Sequence, residues 1–143
     1  MKDKNVSIPR PDKDADELRR MLGDCIMESD LKTRIMDASG EDIRFIDVNF
    51  NVTQVNKTIL DMLEIKREEA VGMKCYDQMK GDICGTDECT LKVILSGSEH
   101  VDRIIDKTTP SGKKISVMQS AKPVRDSNGK IIGIVESLET LLF

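Results

Sequence analysis

Hydrophobic positions along the chain change period twice, and those changes divide it. Residues 1–13 (MKDKNVSIPRPDK) are polar, carry Pro9 and Pro11, show no period, and read as a flexible leader. From Asp14 the spacing turns helical. Leu18, Met21, Leu22, Cys25 and Ile26 fall on one stripe, with Asp, Glu and Arg opposite. Acidic residues at 14, 16 and 17 suit the positive end of the helix dipole. The spacing predicts a helix over about 14–28 within an amphipathic extension, 14–38, that ends before Ser39-Gly40.

Beyond that break the period becomes that of strands. Ile43 to Val48 and Val52 to Val55 predict two strands joined at Asn49-Phe50-Asn51. Asn56 is placed to cap a short helix, Lys57 to Leu63, with Ile59, Leu60 and Leu63 inward. Residues 66–72 predict another helical turn closed by Gly72, and 89–97 a helix ended by Gly97. Between them, 75–89 is a Gly- and Asp-rich loop. The last third is strand again. Val101 to Ile105 leads to a turn at Pro110-Ser111-Gly112, and then Ile115, Val117, Gln119 and Ala121 alternate with polar residues. Asp126-Ser127-Asn128-Gly129 predicts a hairpin turn into a strand over 131–138. The order predicts an α+β domain over 39–143: a five-stranded antiparallel sheet with short helices on one face.

The net charge of −4 gives no reason to expect nucleic acid or an anionic membrane as partner. No apolar run is long enough to cross a bilayer, and the first 20 residues are charged where a signal peptide would be apolar. A soluble, cytoplasmic piece is expected, and excision from a larger anchored receptor stays open. Aromatic residues are scarce, three Phe and one Tyr, so aliphatic side chains and eight Met must fill the core.

Two stretches carry a resemblance. FIDVNFNVTQVNKTILDMLEIKREEAVGMKCYD (45–77) resembles the first half of PAS domains, in Asp47, Asn51, Asn56, Leu63, Val71 and Gly72. PSGKKISVMQSAKPVRDSNGKIIGIVESLETL (110–141) is similar to that family's final hairpin, with Asp126, Gly129, Gly133 and Glu136 in the usual places. The resemblance implies a sensor that binds haem, flavin, a small molecule or a metal cluster between sheet and helices. It implies signalling to a kinase or chemoreceptor-type domain, often as a homodimer. The 18/21/22/25/26 stripe is the expected dimer surface, docking on the chain's own sheet being the alternative.

The distinctive chemistry is four cysteines, three of them close together: Cys75, Cys84 and Cys89 in the polar loop, and Cys25 on the helical stripe. Four readings stay open. The loop thiolates suit an iron–sulfur cluster, which needs soft ligands on a permissive backbone, with Cys25 as a fourth ligand if its helix packs alongside. They suit zinc, given one further ligand. Cys84 and Cys89 suit a reversible disulfide. The fourth reading is no cofactor at all, with free thiols and Cys75 buried at a helix end, in a domain that binds a small organic ligand or holds a dimer together. His100, the only histidine, is expected to be an exposed polar residue, with a role close to the loop as the alternative. A C-x-x-C-H haem motif, a flavin-reactive Asn-Cys-Arg-Phe-Leu string, a phosphate loop, a G-x-S-x-G elbow and an H-E-x-x-H pair are all missing from the sequence, so no enzyme is expected.

Overall fold

A computed structural model describes residues 11–141. Ten residues of the expected leader lie outside the described residues, and the other three belong to the first helix, α1 (Pro11–Ala38). Proline is tolerated at a helix start because its missing N–H has no partner there. The chain divides into two compact units, one ending at Ile35 and one beginning at Met36. In the first, Leu18, Met21, Leu22, Ile26, Met27, Leu31 and Ile35 are all exposed. None of the helices among the described residues is long and apolar enough to cross a membrane.

The second unit holds the sheet: β1 (Asp42–Asp47), β2 (Val52–Val55), β3 (Lys80–Gly81), β4 (Val101–Thr108), β5 (Lys114–Arg125) and β6 (Ile131–Thr140). Its order is β2-β1-β6-β5-β4-β3, and every pairing is antiparallel. The sequence led to five strands; the sixth is β3. Two residues carry no alternation to read, and they are strand only because they pair with Lys107 and Thr108 of β4. The short helices α2 (Lys57–Leu63), α3 (Arg67–Ala70), α4 (Cys75–Gln78) and α5 (Thr90–Leu95) lie between β2 and β4 in the chain. They bring Ile59, Leu63, Ala70, Leu91 and Ile94 to the same core as Ile46, Val117, Ile134 and Leu138 of the sheet.

Two polar side chains explain how the first turns are set. Asp47 Oδ1 accepts from the amides of Asn49 and Asn51, closing the β1–β2 turn. Asn56, fully buried, caps α2 as expected, its Oδ1 accepting from Ile59 N and from Ile43 N on β1. Its Nδ2 donates to the carbonyls of Met36 and Glu41. One amide thus ties the end of α1, the start of β1 and the start of α2.

Candidate functional site

The core face of the sheet is not wholly apolar. Period-2 alternation turns Arg44 and Ile46 of β1 inward, Gln119 with Val117 and Ala121 of β5, and Glu136 with Ile134 and Leu138 of β6. Arg44 and Glu136 sit directly opposite in the β1–β6 ladder, and Arg44 Nε donates to Glu136 Oε1 at 2.8 Å with both side chains almost fully buried. Arg44 Nη1 also donates to Gln78 Oε1 (3.1 Å), and Gln78 Nε2 donates to the Ala70 carbonyl (3.1 Å). On the other side, Gln119 Nε2 donates to Glu136 Oε2 (2.8 Å), and Gln119 Oε1 accepts from the Thr90 hydroxyl (2.7 Å). Arg103 closes the chain, donating to Thr90 Oγ1 and the Glu88 carbonyl. Burial works against a charged Glu136, but Arg44 and, more weakly, Lys107 outweigh it and hold its carboxyl below the ordinary range.

Beside this row lies a cavity of about 30 Å³, room for a water molecule or two. Its floor is Arg44, Gln119 and Glu136, and its walls include Cys75, Cys84 and Cys89. The structure therefore brings the three loop cysteines to one enclosure. Each arrives differently. Cys75 is the first residue of α4, where its amide is bonded to the Phe50 carbonyl. Cys84 sits in the turn after β3, its Sγ accepting from Gly81 N at 3.2 Å. Cys89 is the residue before α5, at the end of successive tight turns, Cys84 N to Gly81 O, Thr86 N to Ile83 O and Cys89 N to Thr86 O. Burial pushes the Cys75 thiol up to about 11; Glu136 and Cys89 push the same way, and Arg44 and Lys107 pull back. All four cysteines are free, and Cys25 lies exposed in the helical unit.

The cavity does not fit an iron–sulfur cluster as it stands. Its volume is too small, and among the described residues no three Cys, His, Asp or Glu groups are set to hold a metal ion. His100 stands apart from the cavity, half-exposed on β4's solvent side of the sheet, where Nε2 meets Asp102 Oδ1 at 3.0 Å. Ser120 and His100 lower the Asp102 carboxyl, Ser120 the more strongly.

Sequence reasoning missed Arg44 and Lys107 as cavity residues, and Gln78 as the partner of Arg44. Arg44 had a readable signal, two residues from Ile46 on the same strand face. Lys107 had none, because its strand was expected to end at Ile105.

Several comparisons place this architecture. A PAS domain from Colwellia psychrerythraea superposes with a TM-score of 0.66 at 14% identity, covering 81% of this chain and 97% of the other. The PAS domain of an HTR-like protein from Haloarcula marismortui gives 0.66 at 13% identity, covering 86% and 99%. A PAS domain from a two-component sensor histidine kinase gives 0.67 at 15% identity, covering 82% and 99%. Likeness at such identities speaks for the fold alone. No curated protein sequence matches the chain. The family model described as "PAS domain" matches residues 24–139, most of the chain, and the chain belongs to the PAS domain family.

Proposed function

We propose that this PAS domain is a redox-sensing module that takes its input at the cavity lined by Cys75, Cys84 and Cys89. Membership of the family carries a sensory, signal-transducing role. The observation that supports the finer reading is the convergence of three free thiols on one cavity floored by buried charged residues. Such thiols can change state reversibly, and the buried row beneath them would register the change.

The chemistry that needs the fewest groups is a disulfide, which takes two thiols where a metal takes a full ligand set. Cys75, with its raised pKa, stays protonated at neutral pH and is slow to react. That leaves Cys84 and Cys89 as the pair. An S–S bond forms as the two thiols lose two electrons and two protons to an oxidant. The second reading, an iron–sulfur cluster on the three loop thiolates, is favoured by the same convergence but needs the 82–89 loop to move outward. Zinc would need a fourth ligand. A homodimer through the exposed α1 residues, coupled to a kinase or chemoreceptor-type output, is the assembly that goes with either reading.

Anaerobic purification followed by absorption spectroscopy, iron, sulfide and zinc analysis, and peptide mapping after mild oxidation tests the proposal. A colourless protein that gains a Cys84–Cys89 bond on oxidation and loses it on reduction supports the thiol switch. Brown protein with iron and sulfide, lost in Cys75→Ser, Cys84→Ser and Cys89→Ser but kept in Cys25→Ser, supports the cluster. Metal-free protein whose thiols stay unchanged under oxidant defeats the proposal.

A further inference from the structure

The loop thiols are not held alike. Cys89 has its backbone bonded at both groups: its amide donates to the Thr86 carbonyl at 3.2 Å, and its carbonyl accepts from Val93 N at 2.9 Å. The residues on either side of it are held by one side chain, Arg103 of β4. Arg103 Nη2 donates to the Glu88 carbonyl at 2.7 Å and to Thr90 Oγ1. Thr90 is buried, and its hydroxyl donates in turn to Gln119 Oε1, on the residue directly opposite Arg103 in the β4–β5 ladder. The bonds of Cys84 stay inside its own turn. Its Sγ accepts from Gly81 N, its amide donates to the Gly81 carbonyl, and Gly85 follows at φ +79°.

Arg103 is placed for that task and for no ion pair. It is half-buried, on the same face of β4 as Val101 and Ile105, which pack on the core. Among the described residues it has no carboxylate within ion-pair distance. Its guanidinium, a rigid planar fork of donors, is spent on a loop carbonyl and a hydroxyl. Cys89 stands at the N-cap position of α5 without making a cap bond. The joint between loop and helix is therefore secured from outside, by Arg103 and Gln119 acting on Thr90.

We propose that Arg103 is the positioning residue of the thiol site: it fixes Cys89 as the stationary partner toward which the Cys84 turn moves when the two thiols join. Its redox consequence rests on the thiol-switch reading; the placement of Cys89 does not. With glutathione disulfide as oxidant the step balances. The Cys84–Cys89 S–S bond forms, the S–S bond of glutathione disulfide breaks, and two electrons and two protons leave the protein thiols in two molecules of reduced glutathione. A thiol held in place raises the effective concentration seen by its partner, and a loose one lowers it. Arg103 thus sets how readily the bond forms, through the backbone on either side of Cys89. The new bond would also pull on the buried row, by way of Thr90 and Gln119 to Glu136.

The test has a redox arm and a labelling arm, both on the full chain. Equilibration in glutathione buffers of stepped ratio, followed by peptide mass spectrometry, gives the equilibrium constant of the Cys84–Cys89 bond. Arg103→Met keeps bulk and removes the donors, and should lower that constant about tenfold, a shift of about 30 mV. Arg103→Lys, which can still donate to one of the two acceptors, should recover part of the loss. In the reduced protein, iodoacetamide should label Cys89 about tenfold faster in Arg103→Met, with Cys84 of the same molecule as reference. A rise common to every thiol would mean a lost fold. Thr90→Val, which removes one of the two bonds and leaves Arg103 in place, then decides, and should raise the Cys89-to-Cys84 labelling ratio severalfold. Where wild type forms the bond, an unchanged constant overturns the role of Arg103 while the redox reading stands. Where wild type forms no such bond, the redox reading falls and the labelling ratio alone decides: a raised ratio keeps the positioning role, and an unchanged one overturns it.

Discussion

Two neighbouring stretches of one sheet face, one fully buried and one half-buried, have opposite accounts. Along β1, β6 and β5 the charged row is closed: Arg44, Gln78, Gln119, Glu136 and Thr90 each have partners within hydrogen-bond distance. Beside it, around β4 and β3, three half-buried thiols are free. Burying a polar group is tolerable when it is bonded and destabilising when it is not. The closed row therefore helps to specify the fold, and the thiols beside it are the groups left free to change their bonding.

The largest expected effect breaks the closed row. Glu136→Gln leaves Arg44 buried without its counter-charge and should cost about 3–5 kcal/mol in urea unfolding. A loss under about 1 kcal/mol would mean that Gln119 and Gln78 alone satisfy the guanidinium.

Next is Asn56→Ala, which removes one cap and the side-chain bonds to Ile43, Met36 and Glu41. It should cost about 2 kcal/mol or more, since buried backbone groups lose partners. Amide exchange at Ile43 and Ile59 should rise in step with the loss.

The second cation beside the cavity should matter less. Lys107→Met keeps the stem and deletes one of the two cations that favour a charged Glu136, so stability should fall, by about 1 kcal/mol. An unchanged stability would show that Arg44 alone keeps Glu136 charged.

A pH titration sharpens the contrast further. The folded Cys75 thiol titrates near 11, against 9.0 as its ordinary value, so the unfolded chain loses its proton first. The contribution is complete below pH 9, and stability should fall as pH rises from about 9 toward 11. Cys75→Ser should flatten that limb, and an unchanged slope would place the burial effect elsewhere. The smallest effect is expected from Cys84→Ser, whose hydroxyl can still accept from Gly81 N. A change in unfolding free energy within about 0.5 kcal/mol is expected for the reduced protein.

Much of the fold was legible because each element carries its own signal. Alternation at Ile115, Val117, Gln119 and Ala121 marked the inward side of β5, and Asn56 marked the start of α2. The reach of the strands was not. β4 and β5 run on to Thr108 and Arg125 because ladder bonds carry them past the last apolar residue. Cysteine spacing singled out the three loop thiols, but their meeting at one cavity depends on α4, the 82–89 turns and α5 folding back on β4, which no local spacing encodes. Lys107 reads in sequence as an ordinary surface lysine. The run of β4 past Ile105 puts it on the inward face, and Gly81 opposite leaves room for its stem.

The two-residue strand β3 also sets how the cavity can be reached over time. It is an edge strand, joined to the sheet through the Lys80–Thr108 and Gly81–Lys107 pairs. Detaching it forfeits very few ladder bonds, whereas detaching β6 would break two long ladders at once. Local opening at this edge therefore lies near the bottom of the molecule's range of unfolding free energies. The cysteine segment can swing out and re-close many times while the sheet behind it stays folded, so exchange with small solutes needs neither a permanent channel nor global unfolding.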